Sequence, residues 1–245
     1  MYDQSFIQNS EYRKRFGDME DITRKEADTL YKKIINEVAS GLKQYGFRKS
    51  NSVTLERVNE YMIQILNFQR HTHLPTITIN TAIRPLFINS TDDRILPLCK
   101  RLDKFDSKES SWYPIRRDTK TASGELLSII INRVLPYFEH LDSPENIIHN
   151  REMLEAGEYT SPSSVILPCA LKTGNMEVSI LYLDKEIDRV NAQIAQGADP
   201  NEYRRYLDYF MYLKSLIVKG SFHEIYSLLK SYEKAFLEKK YKKKS

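Results

Sequence analysis

The residues best suited to chemistry in this chain are a pair of histidines and a set of amide and guanidinium side chains. His71-Thr72-His73 is an H-x-H pair. On an extended segment, residues two apart face the same way, so both imidazoles can meet one metal ion. A catalytic metal also needs a third ligand and outer hydrogen-bond partners that hold the ligands. The nearest carboxylates, Asp92 and Asp93, lie in a separate segment, and Pro75 marks a loop after the pair. The sequence therefore implies no cofactor. A metal-dependent hydrolase or nuclease built on His71 and His73 is the alternative rather than the leading reading.

Asn67 and Gln69 are likewise two apart, and Asn80 follows on the next extended run. If the three share a face, they form a polar patch on a sheet, with Arg84, Trp112 and Arg116 as its border. Amides offer donors and acceptors together, and a guanidinium offers a planar fork of donors. This combination suits recognition of a peptide, a carboxylate or a base edge. The competing interpretation is that the amides pair with nearby backbone and fix strand ends, as buried polar groups usually must. No G-x-S-x-G, P-loop, G-x-G-x-x-G, H-E-x-x-H or C-x-x-C is present. Cys99 and Cys169 sit in Leu-Pro-Leu-Cys and Leu-Pro-Cys-Ala-Leu, the surroundings of core thiols rather than nucleophiles.

These side chains need elements to carry them. Apolar residues Leu30, Ile34, Val38, Leu42 and Tyr45 recur at helical spacing. With Thr23 as cap and Gly46 as stop, they predict a first helix over 25–45. Residues 53–58 alternate and are rich in β-branched residues, 61–69 read as a second strand with apolar residues on both faces, and 76–83 alternate cleanly; the short connections predict an antiparallel meander. Asn59-Glu60 is its first turn. Residues 91–102 read as a short helix. Trp112–Arg117 reads as a fourth strand, at an edge because Pro114 cannot donate to a ladder. A second helix is expected over 121–141, with Pro136 kinking it or ending its regular part. Two helices on one sheet make an α+β module over 24–141, after an N-terminal arm of 1–23.

From residue 142 onward the pattern is helical. A short helix is expected near 145–155, then helices over 163–173, 176–196, 201–219 and from 222 onward. Gly174, Gly197 and Gly220 break them into antiparallel hairpins. The fold class is therefore α+β: a three- to four-stranded antiparallel sheet covered by two helices, followed by an α-helical hairpin module over 142–238.

Charge follows the same division. The chain of 245 residues carries a net charge of +4. Residues 1–141 hold 22 basic and 18 acidic side chains; residues 142–238 hold 10 and 15. Five lysines crowd into the basic tail 239–245. The tail offers a contact to nucleic acid, but no second basic patch with interleaved aromatics accompanies it, which makes a nucleic-acid partner unlikely. Lysines at the end of a helix also complement its dipole. The longest apolar runs are too short for a bilayer, so no membrane partner is expected. Two cysteines and a polar start without an apolar leader point to a reduced, cytoplasmic chain.

Several short motifs recur in a particular order: Leu42-Lys-Gln-Tyr-Gly-Phe47-Arg-Lys, Ile65-Leu-Asn67-Phe-Gln69, Ile77-Thr-Ile-Asn80, Trp112-Tyr-Pro-Ile-Arg116 and Leu135-Pro136-Tyr-Phe138. In that order and spacing, residues 25–141 resemble the bacterial domain of unknown function 4304 family. Its usual pattern is a helix ending in a GF-K-K turn, an N-F-Q strand, an F-T-I-N strand, a tryptophan-containing strand and a closing helix. Pro75-Thr76 replaces the usual aromatic entry to the third strand. The resemblance implies a bacterial source and no established activity. The expectation is a non-enzymatic binding or protein-interaction protein. Its site would lie on the polar sheet face or in the cleft between modules.

Overall fold

The computed structural model describes residues 22–88, 96–106, 112–157 and 162–242. The chain forms two compact units. One comprises residues 1–83 and 99–140, the other 84–98 and 141–245. The first unit is α+β and the second is helical, so the expected fold class holds, and the helical unit also takes in the segment 84–98.

In the first unit, helix α1 spans Arg24–Leu42. The Thr23 hydroxyl accepts a hydrogen bond from Glu26 N–H at 3.2 Å and starts the helix. The Glu26 carboxylate is held by Arg117, with Oε1 2.7 Å from Nε, which lowers its pKa. Ala27, Tyr31, Ile34, Ile35, Val38 and Leu42 form the buried stripe. A tight turn, Lys43–Tyr45, ends at Gly46, whose φ of 85° is the left-handed conformation that a side chain disfavours.

The sheet has strands β1 (Arg48–Lys49), β2 (Thr54–Val58), β3 (Met62–Arg70), β4 (Thr76–Pro85), β5 (Lys100–Arg101) and β6 (Tyr113–Pro114). Their order is β1-β2-β3-β4-β5, with β6 also on β4. The meander β2-β3-β4 and the proline-bearing edge strand are those expected. Asn59 makes the first turn, its side-chain oxygen accepting from Tyr61 and Met62 N–H at 2.9 and 2.6 Å. Two-residue strands β1 and β5 extend the sheet beyond four strands. β5 and the following turn, Leu102–Phe105, replace the end of the short helix expected over 91–102. Residues 89–95 of that segment, like the arm 1–21, lie outside the described residues.

Helix α2 (Thr119–Ile129) is capped by Asp118, which accepts from Thr121 N–H. Glu37 on α1 then accepts from the hydroxyls of Thr119 and Ser123, each at 2.9 Å, and fastens α2 to α1. Gly41 lets α2 approach α1 closely. A Cβ at that position would lie 2.8 Å from a Leu127 methyl group. The regular α-helix is interrupted just before Pro136, as its sequence leads one to expect. Residues Ile130–Val134 form a wide π turn in which Leu135 N–H bonds to Ile130 O, five residues back, and α3 (Leu135–His140) follows. Proline has no N–H for the ordinary bond and its ring crowds the carbonyl four residues before it, so the widened turn relieves both problems.

One face of the sheet is packed against these helices. Tyr31 donates its hydroxyl to Phe68 O at 2.8 Å, Arg70 pairs with Asp28 at 2.7 Å, and Gln64 donates to Phe138 O at 3.1 Å. Leu55, Met62, Leu66, Phe68, Ile77 and Ile79 are buried. Full burial of each such side chain contributes about 1.5–3 kcal/mol.

The helical unit contains α4 (Pro144–His149), α5 (Arg151–Ala156), α6 (Ser163–Thr173), α7 (Met176–Ala195), α8 (Pro200–Val218) and α9 (Phe222–Lys242). The single helix expected near 145–155 is broken at Asn150 into α4 and α5. Side chains cap three of these helices: Ser143 accepts from Asn146 N–H before α4, Asn175 from Val178 N–H before α7 and Asp199 from Asn201 N–H before α8. Tyr182, Leu183, Val190, Leu213, Leu216, Ile225 and Leu229 are buried. Lys214 pairs with Asp184 at 2.6 Å and joins α8 to α7. Among the described residues, no helix is long and apolar enough to cross a membrane.

Candidate functional site

Strand parity decides which side chains meet. On β3, Met62, Gln64, Leu66, Phe68 and Arg70 face the helices, so Ile63, Ile65, Asn67 and Gln69 face the other way. On β4 the corresponding outer row is Thr76, Thr78, Asn80 and Ala82. The expected sharing of a face is realised. Asn80 Nδ2 donates to Gln69 Oε1 at 3.3 Å, and Asn67 Nδ2 donates to Thr54 Oγ1 at 3.0 Å. Asn67 is thereby turned onto β2, while Gln69 is exposed and Asn80 half-buried. This outer face is not uniformly open. Ile63, Thr76 and Thr78 are buried, and the hydroxyls of Thr76 and Thr78 have no hydrogen-bond partner.

The open end of the face continues from Asn80. Its antiparallel partner is Arg101 on β5, so their side chains lie on one face. The Arg101 guanidinium carbon sits 5.6 Å from the Trp112 ring centre. Trp112 meets His71 edge to face, with ring centres 4.8 Å apart and planes at 77°. Gln69, Asn80, Arg101, Trp112 and His71 thus make one run of neighbours. Arg101 is exposed, and Trp112 and His71 are half-buried.

His71 is a structural part of this run. Its Nδ1 accepts from the backbone N–H groups of His73 and Leu74 at 3.1 and 3.2 Å. Its own N–H donates to Thr76 O at 3.0 Å and closes the turn between β3 and β4. An Nδ1 used as an acceptor keeps the ring neutral, with its proton on Nε2. Burial pushes the His71 pKa down, and the neighbouring His73 adds to this. The ring centres of His71 and His73 are 6.2 Å apart. Among the described residues, no three histidine, cysteine or carboxylate side chains cluster as metal ligands.

The structure brings together four of the amide and aromatic candidates and separates two arginines. Asn67, Gln69, Asn80 and Trp112 belong to the outer face. Arg116 instead pairs with Glu125 of α2, Nη1 to Oε1 at 2.9 Å. Arg84 is 3% exposed and, within the helical unit, lies 5.0 Å from the Phe236 ring centre. Both guanidinium groups are held by the fold, away from the open end.

No family model, curated protein or solved structure matches this chain. The site is therefore described from its own chemistry. Arg101 falls in a segment whose sequence predicts a helix, so nothing in the sequence alone places it on this face. Its only sequence signal was a basic residue before the Trp112 strand.

Neither cysteine is poised to react. Burial raises the thiol pKa of Cys169 and of Cys99. An open depression lined by Glu37, Ser40, Gly41, Lys120 and Ser123 lies between α1 and α2, but the Glu37 carboxylate there is engaged by Thr119 and Ser123. In the tail, Lys240 lies over the Phe236 ring at 5.7 Å, and residues 243–245 lie outside the described residues.

Proposed function

We propose that this chain is a non-enzymatic binding protein that recognises another protein through the open end of its outer sheet face. The observation that carries this reading is the unbroken run Gln69–Asn80–Arg101–Trp112–His71, drawn from three strands and a turn. Aromatic and arginine side chains are the types that dominate binding energy at protein interfaces. An amide pair beside them supplies oriented polar contacts. The order of short motifs over residues 25–141 supports assigning this unit to the domain of unknown function 4304 family, which carries no established activity.

The test is affinity capture with the tagged full chain and with a Gln69→Ala/Arg101→Ala double variant. Both substitutions remove exposed side chains and leave the core intact. A protein retained by the native chain and lost by the variant, then shown to bind natively when purified, is the expected result. If every retained protein binds both forms equally, the outer face is not the binding surface.

A further inference from the structure

We propose that the outward ridge of helix α1 binds the phosphate backbone of a nucleic-acid duplex without reading its sequence. The ridge lies on the helix side of the sheet, so this inference does not rest on the reading of the outer face.

Folding sorts the residues of α1 by charge. The exposed residues of the helix are the cations Arg24, Lys25, Lys32 and Lys33 and the neutral residues Thr29, Asn36 and Ser40. None of them is acidic and none is apolar. The acidic residues of α1 are all half-buried and engaged within the unit. Glu26 is held by Arg117, Asp28 pairs with Arg70, and Glu37 accepts from Thr119 and Ser123. Among the described residues, Lys25, Lys32 and Lys33 form no ion pair. An ordinary solvated helix face neutralises itself with glutamate and lysine four residues apart. Lys33 and Glu37 have that spacing, but Glu37 is turned to α2 instead.

The positive charge is also aligned. At 3.6 residues per turn, Lys25, Thr29, Lys32, Lys33, Asn36 and Ser40 fall within an arc of about 100°. From Lys25 to Ser40 the ridge runs about 22 Å along the helix axis, the length of about six base-pair steps. Two further lysines extend it. Lys49 of β1 donates to Asn36 Oδ1, and Lys43 is exposed in the turn after α1.

The side-chain types select among anionic partners. Phosphate oxygens are contacted by lysine and arginine together with serine, threonine and asparagine, and the ridge is made of these types. Thr29 donates its hydroxyl to Lys25 O, so the neutral donors of the ridge are the Asn36 amide and the Ser40 hydroxyl. A protein interface is depleted in lysine at its centre and relies on aromatic or arginine anchors. A helix lying on a membrane inserts apolar side chains. The ridge offers no aromatic or apolar side chain for either. It also offers no ring on which bases of a single strand could stack, which favours a duplex. The sequence argues against a nucleic-acid partner because its lysine-rich tail stands alone. The fold supplies a second basic surface by drawing the acids of α1 inward.

The experiment follows the fluorescence anisotropy of labelled DNA and RNA duplexes of about 20 base pairs with the full chain, across a salt series. The expected result is saturable binding at low salt, with log affinity falling against log salt at a slope of about −3 to −4. Lys25→Gln/Lys32→Gln/Lys33→Gln should weaken binding about tenfold or more at low salt and flatten the slope by about one for each lysine removed. These side chains are exposed, so the core is untouched. Lys32→Arg/Lys33→Arg keeps the charge and should bind as the native chain does. Deletion of 239–245 should leave most of the affinity in place.

Binding of either duplex on these terms supports the proposal, and binding of neither overturns it. Affinity that survives the triple glutamine variant, or that disappears only with the tail, overturns it as well. A poly-glutamate peptide bound as tightly as the duplexes, and released by the same triple variant, transfers the ridge to an acidic protein and ends the nucleic-acid reading.

Discussion

Gln64 and Gln69 lie on one strand, five residues apart, and have opposite roles. Gln64 is buried, donating to Phe138 O and accepting from Arg57 Nε at 2.5 Å. Gln69 is exposed, and its side-chain oxygen accepts from Asn80 across the strands. The odd spacing puts them on opposite faces of the sheet. The difference teaches that an amide on this sheet is structural when helices enclose it and available when the strand end is open. Residue type alone does not decide.

The sharpest way to break this contrast is at the buried glutamine. Gln64→Ala removes two hydrogen bonds and leaves Phe138 O without its donor in the core. The expected loss of stability is about 2–4 kcal/mol, combining an unsatisfied polar group with a cavity. Urea denaturation of the variant would measure it. A loss below about 1 kcal/mol would mean that the buried amide is not holding α3 to the sheet.

The outer face has its own buried polar groups, at Thr76 and Thr78. Their hydroxyls are enclosed without partners, which costs stability. Thr78→Val keeps the β-branched shape and removes the hydroxyl. The expected gain is about 1 kcal/mol, seen as a higher denaturation midpoint. A loss of similar size would show that the hydroxyl is bonded in solution and that this part of the face is wetter than the structure places it.

Much of this architecture was legible in the sequence, and the illegible parts share a cause. Helices α1, α6, α7 and α8 announced themselves because three or more turns repeat an apolar stripe and end at a glycine or a cap. Strand β4 is long enough to alternate, and β3 is long enough to stand out as an apolar run. β1 and β5 are two residues each, too short for any periodicity, and exist only because β2 and β4 offer them an edge. That is why Arg101 escaped notice while Asn80, its partner across the strands, did not. The π turn before Pro136 escaped for a different reason: a proline in a helical pattern signals a disturbance without specifying its form. Gln64 sits in a run with apolar residues on both faces that gives no sign of its role, since its partners come from residues 57 and 138. Arg84 and Arg116 share only their type with the polar face: tertiary contacts with Phe236 and Glu125 hold them elsewhere.

The turn at His71 offers a graded way to sharpen the comparison, through pH. Burial lowers the folded-state pKa of His71. The unfolded chain therefore binds a proton first as pH falls through about 6.5, the ordinary histidine value. Stability contributed by neutral His71 is fully present above that pH. It declines through the window between 6.5 and the lowered folded value, then levels off. The physical event is loss of the Nδ1 acceptor for His73 and Leu74 N–H. His71→Asn keeps an acceptor oxygen without a titrating ring, so its acid-side decline should be shallower than that of the native chain. Parallel pH profiles of the urea midpoint for the two proteins would refute this role for His71.

The smallest expected effect on stability falls on Gln69, and it separates the two glutamines most cleanly. Gln69→Ala breaks one exposed amide contact at 3.3 Å. Water can replace that bond for Asn80, so stability should change by no more than about 0.5 kcal/mol. Arg101 keeps its place over Trp112, because that contact does not pass through Gln69. Trp112 emission in the unliganded variant should therefore match that of the native chain, while binding at the face weakens. The opposite pattern, a destabilised chain with shifted emission, would make Gln69 a second Gln64: an amide that holds the sheet together rather than one presented to a partner.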